Sequence, residues 1–313
     1  MKVEPMTPGW DTLAAGTWNV AKRVLQASVL AILLLYVFQR YFVFPRHVSA
    51  AINGEPGAML GAELITVTTA DGERLVAYWR APESGMPVIV TFHGNASSPI
   101  PHAQRFSTPP WSTYGWGFLT IAYRGYPGST GSPSQVGLLA DGQAALAYVT
   151  AKAPDNPVVL HGHSLGTGVA LAVAMQAKPK AIILEAAYTS LVAAAATKIP
   201  LLPYLMWDRF PASEWIKSVD APIEIVHGDT DTIIPIQIGR ELASLNTAAV
   251  FTSVPGADHV SVFGSQDIRI ESQLRSLIPA SRWDFRGNRT TPLINRLDEF
   301  PAPASTRKQK PMP

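Results

Sequence analysis

Short, predominantly apolar runs recur along the middle of the chain, at Val88 to Phe92, Phe118 to Tyr123, Val158 to His161, Ala181 to Leu184, Ile223 to His227 and Val250 to Val254. Between most of them lie stretches with helical spacing, notably Val136 to Lys152, Leu165 to Lys178 and Ile236 to Leu245. Uninterrupted apolar strands must be covered on both faces, and strands alternating with helices imply parallel order. Ahead of this rhythm, Glu63 to Thr69 and Arg74 to Trp79 are β-rich and are separated by Ala70-Asp71-Gly72-Glu73, a hairpin signal. The pattern predicts an α/β fold over residues 60–280, a doubly wound and mostly parallel sheet opened by an N-terminal antiparallel hairpin.

The rhythm breaks in three places. From Leu25 to Phe44 the chain is apolar except for Gln26, Ser28, Gln39 and Arg40, and a helix needs about 20 such residues to cross a bilayer. Lys22 and Arg23 precede the run, Arg40 can snorkel, Trp18, Tyr36 and Tyr41 suit the interfaces, and Pro45 ends it. One transmembrane anchor is predicted over 24–44, after an N-terminal tail, 1–23. A core or amphipathic helix is the other reading. A cleaved signal peptide ending at Val48-Ser49-Ala50 would need a shorter leading region and fewer aromatic residues before that site. Lys2, Lys22 and Arg23 before the span against Arg40 and Arg46 after it orient the tail inward and the remainder to the non-cytoplasmic side.

The second break is an insertion at about 187–220, where Pro200-Leu201-Leu202-Pro203-Tyr204-Leu205-Met206-Trp207 and Phe210-Pro211 suit either an apolar rim or a connecting helix on the sheet. The third is the tail at 283–313, a mixture of Pro, Arg, Asn and Thr without periodicity, which reads as disordered.

Composition narrows the chemistry. With 313 residues, 47% of them hydrophobic, the chain can build one large domain with a substantial core. A net charge of +2 with scattered basic residues leaves no footprint for nucleic acid. There is no cysteine, which removes disulfides, thiolate catalysis and cysteine-ligated metals. No histidine pair has metal-ligand spacing on a shared helix, and no cofactor is implied: the glycines around Gly125-Tyr126-Pro127-Gly128 match neither a dinucleotide fingerprint nor a P-loop.

Candidate chemistry centres on Gly162-His163-Ser164-Leu165-Gly166. A serine hydroxyl is a poor nucleophile at neutral pH, so it must be exposed, given a base and placed beside oxyanion donors. The strand before Ser164 and the helix after it put the hydroxyl on a tight turn, and the flanking glycines clear the closest approach of the two elements. Asp231 and His259 follow later strands, at the carboxyl ends where open α/β sheets bind ligands, and the order Ser, Asp, His is one this architecture uses. Asp229 and Glu185 are rival acids. His93, His161, His163 and His227 read as residues that hold loops and the elbow rather than as bases.

His93-Gly94-Asn95-Ala96, Tyr123-Arg124-Gly125-Tyr126-Pro127-Gly128-Ser129-Thr130-Gly131 with Pro133-Ser134, the Ser164 elbow, His227-Gly228-Asp229-Thr230-Asp231 with Ile234-Pro235, and Gly256-Ala257-Asp258-His259 together span most of Leu60 to Leu277. On these segments the chain resembles an α/β-hydrolase, and within that superfamily the small single-pass membrane hydrolases that include protein depalmitoylases and lysophospholipases. Two positions depart from the pattern: Ala122 replaces the usual acidic residue and Gln135 replaces a frequent glutamate. The resemblance implies that Ser164 is the nucleophile, His259 the general base and Asp231 the residue that orients it. Leu165, following the nucleophile, supplies one oxyanion N–H and Asn95 the other by family position. Arg124 is expected to pair with an acid such as Asp141 and so fix its glycine-rich loop, rather than to clamp a substrate anion.

The expected function is a membrane-anchored serine hydrolase acting on a small-molecule acyl ester or thioester, with membrane lipid as its surroundings. The alternatives are an amidase, peptidase or acyltransferase with the same triad, or a non-catalytic binding module on a hydrolase scaffold.

Overall fold

The hairpin predicted around Asp71-Gly72 forms in the computed structural model, which describes residues 10–49, 61–199 and 202–277. Strand β1 (Glu63–Thr68) pairs antiparallel with β2 (Arg74–Arg80), and Gly72 takes a positive φ of 88° at the turn. The chain continues through β3 (Val88–Phe92), β4 (Gly117–Ile121), β5 (Val158–His163), β6 (Ala181–Glu185), β7 (Ile223–Gly228) and β8 (Ala249–Val254). Among the described residues these make one eight-stranded sheet in the order β1-β2-β4-β3-β5-β6-β7-β8. β2 meets β4 antiparallel, and every later pairing is parallel. All residues of β3, β4 and β6 are buried, so the middle of the sheet is covered on both faces, as its apolar runs require.

The helices in chain order are α1 (Trp10–Val37), α2 (Gln39–Val43), α3 (Pro99–Phe106), α4 (Gln135–Lys152), α5 (Leu165–Ala174), α6 (Leu191–Ala196), α7 (Ala212–Trp215), α8 (Ile236–Ser244) and α9 (Asp267–Ser276). Helix α5 is buried along its whole length. It ends at Ala174, short of the predicted Lys178, and Pro179 keeps Lys178 itself out of the helical region. Helix α3 escapes sequence reading because Pro99 and Pro101 look like breakers. Both lie in its first turn, where no helical N–H is needed, and Ser98 caps it by accepting from the N–H of Ile100 at 3.4 Å.

The N-terminal apolar run is helical from Trp10, earlier than its charged flank at Lys22 and Arg23 suggests, and Thr17–Val37 is long and apolar enough to cross a membrane. Past Val37 the chain turns at Phe38, and α2 joins the globular part. Phe44 is buried in the core against Phe210, which explains why the straight helix ends before the apolar run does. The insertion at 187–220 contributes α6, a 3-10 turn at Leu202–Leu205 and α7. The tail at 283–313 and residues 1–9 lie outside the described residues.

The loop with the most particular sequence is pinned by its arginine. Arg124 Nε donates to Asp141 Oδ1 at 2.7 Å and Nη1 to Asp71 Oδ2 at 2.7 Å, while the Arg124 backbone N–H donates to Asp141 Oδ2 at 2.8 Å. Both departures from the superfamily pattern are accommodated nearby. Ala122 is buried, and its carbonyl accepts from the Ser129 hydroxyl at 2.8 Å. Gln135 Oε1 accepts from the backbone N–H of Phe210 at 2.6 Å, a role that needs an acceptor and not a charge.

Candidate active site

Ser164 sits between β5 and α5 with φ 53° and ψ −120°, a conformation that costs a non-glycine residue energy and thrusts its side chain out of the turn. The space for this turn is bare backbone. A Cβ on Gly162 would overlap the Gly166 carbonyl, and one on Gly166 would overlap the carbonyl of Phe92 on β3. The Ser164 N–H donates to the Glu185 carbonyl at 2.9 Å, tying the elbow to the end of β6.

The three side chains singled out in the sequence meet. Ser164 Oγ lies 3.0 Å from His259 Nε2, and His259 Nδ1 lies 2.8 Å from Asp231 Oδ2. Asp231 follows β7 and His259 follows β8, so adjacent parallel strands deliver acid and imidazole to one rim. The other oxygen of Asp231 accepts from the N–H groups of Ile233 and Ile234, each at 2.8 Å. Burial opposes charge on Asp231, but hydrogen bonds from His227, His259 and the Ile234 backbone outweigh it and hold the carboxyl below the usual range.

The rival acids are occupied elsewhere. Asp229 accepts from the N–H of Gly256 at 2.7 Å, bracing the loop that carries His259. Glu185 is fully buried and receives Arg105 Nη1 at 2.7 Å and Nη2 at 3.0 Å.

The two residues named as oxyanion donors flank Ser164. Leu165 opens α5, where no preceding helical carbonyl receives its N–H. The loop after β3 presses on the elbow so closely that a Cβ on Gly94 would stand 3.3 Å from the Ser164 Cβ. Asn95 in that loop is held at both ends of its side chain: Oδ1 accepts from the Tyr126 hydroxyl at 3.0 Å, and Nδ2 donates to the backbone carbonyl of Val43.

Four histidines serve as scaffolding, and one has a larger part than its sequence suggests. His227 Nε2 donates to the Ile234 carbonyl at 2.9 Å and stands 3.3 Å from Asp231. His161 is buried beside Glu185, and His93 stacks at a tilt on Tyr123. His163 donates from Nε2 to the His259 backbone carbonyl at 3.0 Å, which fixes the loop of the imidazole. Burial lowers the pKa of both His93 and His163 to about 4, so both are neutral near pH 7. Among the described residues no group of His, Asp or Glu is arranged to hold a metal ion.

A cavity of about 520 Å³ opens over Ser164. Its walls include Leu191, Ala194, Ala195, Lys198 and Ile199 from the insertion, which therefore forms a rim to the site, and Leu35, Tyr36, Gln39, Phe42 and Val43 from the N-terminal segment. Apolar groups dominate the lining. Chemically, a serine hydroxyl next to an imidazole that is in turn held by a carboxylate suits proton removal from the hydroxyl and stabilisation of the imidazolium so formed.

Comparison with known proteins agrees with this architecture. The chain is 33% identical over 202 residues to an uncharacterized protein of Mycobacterium tuberculosis, covering 62% of this chain and 71% of that one. It is 29% identical over 204 residues to the lysophosphatidylserine lipase ABHD12 of Macaca fascicularis, covering 58% of this chain and half of the lipase. Among solved structures, the Pyrococcus furiosus esterase Pf2001 superposes with a TM-score of 0.57 at 18% identity, over 75% of this chain and 98% of the esterase. No family model matches the sequence. The chain belongs to the α/β-hydrolase superfamily.

Proposed function

We propose that this protein is a membrane-anchored serine hydrolase that cleaves carboxylic ester or thioester bonds of lipid-like acyl substrates. One observation carries the reading: Asp231, His259 and Ser164 Oγ form a continuous hydrogen-bonded chain, at 2.8 and 3.0 Å, that ends at a serine lining an apolar cavity. His259 takes the hydroxyl proton as Ser164 attacks the acyl carbonyl, and the N–H groups of Leu165 and Asn95 receive the oxyanion. Collapse of the tetrahedral intermediate expels the alcohol or thiol, which leaves with the proton from His259. Water, deprotonated by the same imidazole, then attacks the acyl-enzyme, the carboxylic acid departs and the Ser164 hydroxyl is restored.

The superfamily membership and the lipase and esterase names of its relatives support ester chemistry, and the apolar cavity supports a lipid-like acyl group. Helix α1 is the anchor in this reading. The balance of cations, Lys2, Lys22 and Arg23 before the span against Arg40 and Arg46 after it, supports an N-terminus in the cytoplasm and a catalytic domain on the other side. Purified protein is expected to hydrolyse p-nitrophenyl acyl esters and to be labelled by a fluorophosphonate, with both signals absent in Ser164→Ala. Equal turnover by the two proteins would remove the nucleophile assignment. Protease accessibility of the domain in sealed vesicles tests its side.

A further inference from the structure

The anchor does more than hold the domain near a membrane. We propose that the last turn of α1 together with α2 is itself part of the substrate site: it forms the wall along which one long acyl chain lies while the carbonyl of that chain sits at Ser164. This deepens the hydrolase reading and rests on it.

The geometry supplies the first support. Leu35, Tyr36, Phe42 and Val43 line one side of the cavity, and Ala194 and Ile199 of the insertion line another. The small side chains at Ala194 and Ala195 leave the width, and the polar lining is confined to Ser164, Asn95, Gln39, Lys198 and the Tyr36 hydroxyl. An apolar trough with a nucleophile at its base suits an alkyl chain and offers almost no partner to a polar acyl group. Its volume is that of a site for one small ligand, so the chemistry points to single-chain amphiphiles rather than paired chains.

The wall is also fixed. Arg40 Nε donates to Asp208 Oδ2 at 2.8 Å, Gln39 Oε1 accepts from the Trp207 N–H at 2.8 Å, and the Tyr36 ring meets Trp207 edge-on with centroids 5.2 Å apart. These contacts clip the anchor to the insertion, the two sides of the trough. The Val43 carbonyl that receives Asn95 makes the same segment a positioning element for the proposed oxyanion donor. Leu35 belongs to the stretch long enough to span a bilayer, so the methyl end of a bound chain would lie toward the lipid.

The test uses the full chain in phosphatidylcholine nanodiscs and a series of p-nitrophenyl esters from butyrate to stearate, with fluorophosphonate labelling to report an intact Ser164 site. Leu35→Trp fills the trough from the anchor side and is expected to lower kcat/KM for palmitate relative to butyrate by roughly ten-fold or more, the low end of what even one methylene is worth in an apolar pocket. Ala194→Trp fills it from the insertion and is expected to do the same. Leu35→Ala, which cannot overpack, is expected to move the optimum toward longer chains. If Ala194→Trp changes the profile while both Leu35 variants leave it unmoved, the trough binds acyl chains without the anchor and the proposal is overturned. A profile unmoved by all three overturns it as well. Hydrolysis that survives Ser164→Ala is a separate result, one that overturns the hydrolase reading itself.

Discussion

The imidazole of His163, one residue before Ser164, donates from Nε2 to the backbone carbonyl of His259 at 3.0 Å. Ser164 and His259 are therefore linked twice, through their side chains and through this clasp. Losing it lets the His259 loop shift, and a displacement of about 1 Å at a reacting group can cost roughly a hundred-fold in rate. His163→Leu is expected to lower kcat by about ten- to a hundred-fold with little change in KM, and His163→Gln, which keeps an N–H donor, should recover part of the loss. Steady-state hydrolysis of a soluble ester checks both.

Asp231 and Asp229 lie two residues apart and do different things. Asp231→Asn puts an amide where the imidazole N–H requires a carboxylate, and kcat is expected to fall by about a thousand-fold or more. Asp229→Asn keeps an acceptor for the Gly256 N–H and should cost less than about ten-fold, within what a slightly loosened loop explains. Parallel kcat measurements separate the two carboxylates, and equal losses would contradict the assignment.

Beneath the site, Arg105 bridges Glu185 and Asp267, with Glu185 wholly buried. Burial opposes its charge, yet the Arg105 guanidinium and His161 hold the Glu185 carboxyl well below the ordinary range. Arg105→Met leaves that carboxylate unpaired, which should destabilise the fold by roughly 3 to 5 kcal/mol. Chemical denaturation measures it, and a change below about 1 kcal/mol would show that the neighbouring N–H of Gly264 and His161 satisfy the charge alone.

Stability should fall on acidification before the carboxylates titrate. His93 and His163 have their pKa lowered by burial from 6.5 to about 4 in the folded chain. Above 6.5 neither state binds the extra proton. Between 6.5 and 4 the unfolded chain takes it up and the folded chain does not, so stability declines across that window, by on the order of 3 kcal/mol per group at its lower end. Asp231, whose pKa is also lowered in the folded chain, contributes stability that is complete above its ordinary value of 3.8 and is lost only at lower pH. Denaturation midpoints between pH 7.5 and about 4.5 should drop steadily, with a shallower drop in His163→Gln.

Much of this was legible in the chain before any coordinates. Runs such as Val88 to Phe92 announce buried parallel strands because apolar side chains fall on both faces instead of alternating with polar ones, and β3 begins and ends at those residues. The Ser164 elbow is legible for a similar reason: only glycine fits where β5, α5 and β3 converge, so the constraint is written in residue type. Other features leave no such mark. The polar helix α9 buries only Ile270, Glu271 and Leu274, too sparse a stripe to read as helix. The clasp from His163 ends on a carbonyl, and so does the hold of Val43 on Asn95; every residue owns a carbonyl, so sequence carries no signal for which one is used. The contribution of Leu35 and Phe42 to the cavity depends on how the chain turns at Phe38, which apolar character alone does not decide.

Only Phe38 separates α1 from α2, and Arg40 and Gln39 fasten the second to the body of the protein at once. A tether of that kind has no slack. If α1 spans a bilayer as proposed, the hydrolase stands at a set height and bearing over it, so that the thickness of the surrounding lipid, by lifting or sinking the joint, becomes a variable that turnover of embedded esters would feel and turnover of water-soluble ones would not.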